Sequence, residues 1–254
     1  MLCMRARPLL STPFSLTFSP PKRLSRLKSS FSVKSAMSST IEHVVLFKVK
    51  PDVDPSKVNT MVTNLNGLIS LDPVLHLTAG PVLRTGSSLF TFTHMLHSRY
   101  NSKSDLDTYS QHPNHLSVVR ESVLPICEDI MAVDWVADRT PNTIVIPPGS
   151  AVRISFLKLK EDLGEEVKNE VLGVIKGIKE NFGGIEEITC GENFSPARAK
   201  GFSIASIAIF NGVKEMEEAD SNQELLKLQK EKVKEHVESV IVVDYVVPSS
   251  PSNL

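Results

Sequence analysis

The stretch Val44-Val45-Leu46-Phe47-Lys48-Val49-Lys50 returns 110 residues later as Ile154-Ser155-Phe156-Leu157-Lys158-Leu159-Lys160. Each run is rich in apolar and β-branched residues with alternating character, so each reads as a strand whose side chains point to two faces in turn. Two further matches keep the order and nearly the spacing. Asp134-Trp135-Val136 returns as Asp244-Tyr245-Val246, and Thr78-Ala79-Gly80 returns as Thr189-Cys190-Gly191 at an offset of 111. Three ordered matches at nearly one spacing define an internal repeat. The 254 residues therefore hold two copies of one module, over 41–140 and 151–248.

Within the first copy the strand at 43–50 is followed by an amphipathic helix over 55–71, with Val58, Met61, Val62, Leu65, Leu68 and Ile69 on one stripe. Strands at 74–83 and 89–97 flank a Gly/Ser turn, and period two puts Phe90, Phe92, His94 and Leu96 on a shared face. A short helix near 104–111 comes next, then one opening at Pro113, a residue suited to a first helical turn. Ile130 to Val136 closes the module as a strand. The second copy repeats the order: a helix at 163–181 stopped by Gly183-Gly184, strands near 185–191 and 200–210, helices between 213 and 238, and a last strand at 239–247.

Each copy is thus β-α-β-β-α-β, the ferredoxin-like split unit, and the fold class is α+β. Such a unit covers one sheet face with its helices and leaves the other bare. Two copies can cover each other, sheet face to sheet face, as a closed intramolecular α/β barrel. The proline-bounded segment 141–150 is a stiff linker that sets this pairing.

The first forty residues contain no Asp or Glu but seven Lys or Arg, and Pro8, Pro13, Pro20 and Pro21 interrupt every apolar run. That is the composition of an organellar transit peptide, here of plastid type, and excludes a secretory signal. Removing those seven from the total of 28 leaves 21 basic residues against 29 acidic, a net charge of −8. Nucleic acid is excluded as a partner, because its backbone demands a clustered positive face. No apolar run reaches the ~18 residues of a membrane span. Cys3, Cys127 and Cys190 are isolated, so no disulfide framework or CxxC motif is available.

The tail 249–254 ends on Ser252-Asn253-Leu254, which resembles the peroxisomal Ser-Lys-Leu signal but lacks its central charge. The expectation is a peroxisomal protein recognised by the import receptor through these three residues. Met37 could start a leaderless form, with the longer form going to the chloroplast.

His43-Val-Val-Leu-Phe-Lys, the Phe-Thr-His94 strand, Tyr109-Ser-Gln-His112-Pro-Asn-His115 and the Asp-Trp/Tyr-Val closing strands together resemble the stress-response A/B barrel family of plants. The resemblance covers both modules. That family includes small boiling-stable proteins and a catalytic relative, olivetolic acid cyclase. It implies a binding or stabilising module with a small apolar ligand in the barrel, able to form homodimers. The alternative is a cofactor-free enzyme, cyclase-like or monooxygenase-like, with its cavity in the first module. In the enzymatic case the matching positions are His115 as base, Tyr109 to orient or polarise, and His94 and His43 to assist. A neutral imidazole can remove a proton beside a carbonyl, and a tyrosine hydroxyl can bond the developing oxyanion. The second copy departs from the pattern, with Arg153 for His43, Ile204 or Ala205 for His94, and Asn222-Gln-Glu-Leu225 for His112-Pro-Asn-His115. It is expected to be the structural half.

No cofactor motif is present, neither GxGxxG, P-loop, GxSxG nor HExxH. His94 and His97, three apart on a strand, face opposite sides and cannot share a metal ion. His112 and His115 lack further ligands nearby, so His112 is read as a helix cap and His115 as a hydrogen-bonded group in the barrel.

Overall fold

The computed structural model describes residues 40–87, 90–138 and 144–249, without the side chains of 224–226, 228 and 229. The leader to residue 39, residues 139–143 at the start of the linker region and Ser252-Asn253-Leu254 lie outside the described residues.

The first module runs β1 (Ile41–Val49), α1 (Pro55–Gly67), β2 (His76–Pro81), β3 (Arg84–Gly86), β4 (His94–Tyr100), α2 (Lys103–Gln111), α3 (Pro113–Val118) and β5 (Cys127–Val136). The second runs β6 (Ala151–Leu159), α4 (Glu165–Lys176), α5 (Ile178–Asn181), β7 (Ile185–Glu192), β8 (Ile204–Phe210), α6 (Val213–Ser221), α7 (Gln223–Val233) and β9 (Val237–Val246). Local chemistry places the helix starts. Asp54 accepts from the Ser56 N–H at 2.7 Å with Pro55 in the first turn, and Ser102 accepts from the Asp105 N–H at 3.1 Å.

The sheets are ordered β2-β4-β1-β5 and β3-β9-β6-β8-β7. β3 belongs to the first module by sequence but pairs with β9 of the second, Arg84 opposite Asp244. The reciprocal junction is a bridge between Trp135 and Asn193. At both junctions one backbone bond has the same form: Leu83 N–H donates to Asp244 O at 2.8 Å, and Phe194 N–H to Asp134 O at 2.9 Å. The two sheets therefore close on each other, and an edge of each is covered by the other module.

The repeated tripeptides are the parts that interlock. A Cβ on Gly191 would stand 2.5 Å from the Val136 carbonyl oxygen and 3.0 Å from Trp135 Cδ1. A Cβ on Gly80 would stand 3.3 Å from the Tyr245 ring, whose hydroxyl hydrogen-bonds Thr78 at 2.7 Å. Each module lays the aromatic of its last strand over the glycine of the other.

Between the sheets lies one buried apolar core drawn from both modules, including Leu46, Met95, Trp135, Phe156, Ile207 and Tyr245. Separate cores join each sheet's outer face to its own helices. Phe90 and Phe92 belong to the core between the sheets, whereas Leu96 packs under the helices. This corrects the expected shared face of Phe90, Phe92, His94 and Leu96. β4 begins only at His94, and the irregular segment before it resets the alternation. The strand expected from residue 200 likewise begins at Ile204, after a 3-10 turn at Pro196–Arg198.

A charged cluster sits inside this barrel. Glu42 accepts from Arg99 Nε at 3.1 Å and pairs with His97 Nε2 at 2.6 Å, while Arg99 Nη2 reaches Glu187 of the other module at 3.0 Å. Arg99 also donates to the Ile144 carbonyl at 3.2 Å, a contact to the linker itself. Burial alone would raise Glu42, but Arg99 and His97 outweigh it and hold its pKa at about 2. His76, with its ring centroid 5.4 Å from that of His97, is pulled down to about 3 by burial. The one sign of this cluster in the sequence is that period two puts Glu42 on the face of Val44 and Leu46.

Candidate functional site

Three of the four expected site residues meet between the first sheet and its helices, not in the barrel lumen. β1 points His43 outward, α2 brings Tyr109 over it, and the first turn of α3 adds His115. The Tyr109 ring centroid lies 4.6 Å from that of His115 and 6.3 Å from that of His43. His94 is not among them. It is paired across the sheet with Phe47, and its Nδ1 meets Thr93 Oγ1 at 2.9 Å. Phe47 lies four positions along β1 from His43, so at ~3.3 Å per residue His94 stands roughly 13 Å along the strand from the other three.

Two residues complete the group. Asp134 on β5 accepts a hydrogen bond from His43 Nδ1, and Tyr100 on β4 lies beside both His43 and Tyr109, its ring centroid 5.3 Å from that of Tyr109. The sequence does carry a signal for Asp134, since both copies hold an aspartate at one place in an otherwise apolar closing strand. The second module contributes as well: Asn193 Oδ1 accepts from the Asp134 N–H at 3.1 Å, and Ser195 bonds the Asp134 carboxylate.

These contacts fix proton positions. A carboxylate only accepts, so His43 carries a proton on Nδ1, and in the neutral ring Nε2 is the lone pair. His115 Nδ1 donates to the Ser110 carbonyl at 2.9 Å and likewise leaves its lone pair on Nε2. Burial lowers the His115 pKa, keeping it neutral, and raises that of Tyr109, keeping its hydroxyl protonated. Burial would raise Asp134, but His43 and Ser195 outweigh it and hold the carboxyl below its usual range. The group can hold or pass a proton. Its rings pack on one another, and Tyr109 is only 1% exposed.

A cavity of about 850 Å³ opens in the second module instead, between the outer sheet face and α4 to α7. Leu157, Ile175, Ile178, Phe182, Phe210 and Val233 supply apolar walls. None of His43, His94, Tyr109 and His115 lines it, so it is not the cavity expected around those residues in the first module. The cause is truncation. Ser155 faces Ser206 where Val45 faces Leu96 in the first module, and Ala219 holds the place of Tyr109. One end of the cavity is closed by four paired charges: Arg153 donates to Asp244 at 2.7 Å and to Asp220 at 2.5 Å, and Arg84, arriving on β3, donates to both aspartates.

As the sequence implies, His94 and His97 point to opposite faces, and His112 caps α3 by accepting from the Asn114 N–H at 3.2 Å. Among the described residues no three His, Cys, Asp or Glu side chains are grouped to hold a metal ion, and no helix is long and apolar enough to cross a membrane.

Fold and site define a tandem dimeric α/β barrel, two ferredoxin-like modules closed on one core. The family described as Stress responsive A/B Barrel Domain matches residues 41–137 and 151–247, and the chain belongs to it. It is 55% identical to a stress-response A/B barrel domain-containing protein of Arabidopsis thaliana, over 98% of both chains. It is 50% identical to a second Arabidopsis thaliana protein of the same description, over 84% of this chain and 100% of that one. Among solved structures, an anthrone oxidase-like protein is similar with a TM-score of 0.54 at 12% identity, over 85% of this chain and 97% of that one, a likeness of fold alone.

Proposed function

We propose that the chain is a non-catalytic binding module of the stress-response family, and that it holds a small apolar molecule in the second module. The observation that carries this reading is the cavity of about 850 Å³, which lies within the ~300–1,000 Å³ typical of small-molecule sites and is lined by none of His43, His94, Tyr109 or His115. The proton-handling group of the first module is occupied by its own rings and reads as a hydrogen-bonded structural element.

Titration with an apolar fluorescent probe tests the proposal. Ala219→Trp, which fills the cavity, should weaken probe binding at least tenfold, while His115→Ala leaves it unchanged. The opposite pattern, with binding lost on His115→Ala and kept on Ala219→Trp, returns the function to the first module.

A further inference from the structure

We infer that the second-module cavity takes an apolar monocarboxylate, held with its carboxylate at Lys230 and Lys234. The inference rests on the binding reading above and adds the chemistry of the ligand.

Charge sets the ligand class. Of the ionic side chains that line the cavity, Arg84, Arg153, Asp220 and Asp244 neutralise one another at one end. Glu238 is paired with Lys158 at 2.6 Å. Lys230 and Lys234 remain. They stand four residues apart on the α7 side, so they share a helical face, both line the cavity, and neither has an ion pair among the described residues. Their apolar stems can lie along the cavity wall while the ammonium groups stay at the water boundary.

An apolar chamber with two unpaired cations at its rim suits a molecule that is apolar along its body and anionic at one end. A neutral apolar molecule would gain nothing from either lysine, both of which are exposed. A cationic one would be repelled. A dianion with a large polar head would have to desolvate against Leu157, Phe182 and Val233, which offer no side-chain hydrogen bonds. A single carboxylate at the rim satisfies the charge while the body fills the apolar part.

Pyrenebutyrate and the neutral pyrenebutanol separate the two halves of the claim by fluorescence titration of the full chain. The acid should bind at least tenfold more tightly than the alcohol at low salt, with the preference shrinking as salt rises. Lys230→Met with Lys234→Met keeps most of the apolar stem and should erase the preference while leaving alcohol binding unchanged, with the fold checked by circular dichroism. Equal binding of acid and alcohol by the unmodified protein overturns the carboxylate assignment alone. A preference that survives the double substitution moves the anion site to the arginines and also overturns it. If neither probe binds, the binding reading itself fails.

Discussion

The two modules pair their first strand with its two neighbours residue for residue, down to a register shift at Lys48/Val49 in one and Lys158/Leu159 in the other, yet they fill the two sides of their sheets in opposite ways. The first packs rings beneath its helices and sends Glu42, His97 and Arg99 into the lumen. The second leaves a cavity beneath its helices and sends Val152, Ile207 and Ile209 into the lumen at the corresponding places. Duplication has kept the backbone and freed the side chains. Because the lumen is one core shared by both copies, a charged pair placed there by one copy also reaches the other, and Arg99, already paired with Glu42, bonds Glu187 as well.

Making the first module's lumen like the second gives the largest expected effect. Arg99→Ile leaves Glu42 and Glu187 buried without the guanidinium between them and should cost about 3–5 kcal/mol of unfolding free energy by chemical denaturation. Adding Glu42→Val, His97→Ile and Glu187→Gln removes the stranded charges and should recover most of that loss. If the single substitution costs under about 1 kcal/mol, the cluster does not hold the modules together.

A smaller difference separates the two interlocking glycines. Gly191→Ala drives a methyl group against the Val136 backbone and should cost about 1–3 kcal/mol as overpacking. Gly80→Ala meets only the edge of the Tyr245 ring and should cost less than Gly191→Ala. Equal thermal shifts for the two variants would show that the junctions are symmetric in energy as well as in pairing.

The repeat makes the architecture legible because both members of each interlock, the glycine and the aromatic, lie in repeated segments. The site is legible only in part. His43, Tyr109 and His115 can be grouped from their pattern, but the separation of His94 from them follows only from the register of β4 against β1, which sets it opposite Phe47, and the irregular residues before His94 hide that register. The cavity leaves its trace in replacements, Ser155 for Val45, Ser206 for Leu96 and Ala219 for Tyr109, which become meaningful only once the pairing shows that they adjoin. The lumen cluster escapes notice because polar residues near strand ends ordinarily face water.

The smallest predicted effect concerns His112, which opens α3 where the second module has Asn222. A histidine three residues from His115 invites a reading as half of a metal pair, yet its Nδ1 is already engaged in accepting the Asn114 N–H. An N-cap needs only an acceptor at that point, and asparagine is among the strongest residues for it. His112→Asn should therefore leave the melting temperature unchanged or slightly raised, whereas His112→Ala loses the acceptor and should cost about 0.5–2 kcal/mol. The two substitutions remove the imidazole equally, so any role that requires the ring predicts equal damage from both. Only a capping role predicts that asparagine rescues what alanine loses, and a thermal melt of the two variants side by side decides between them.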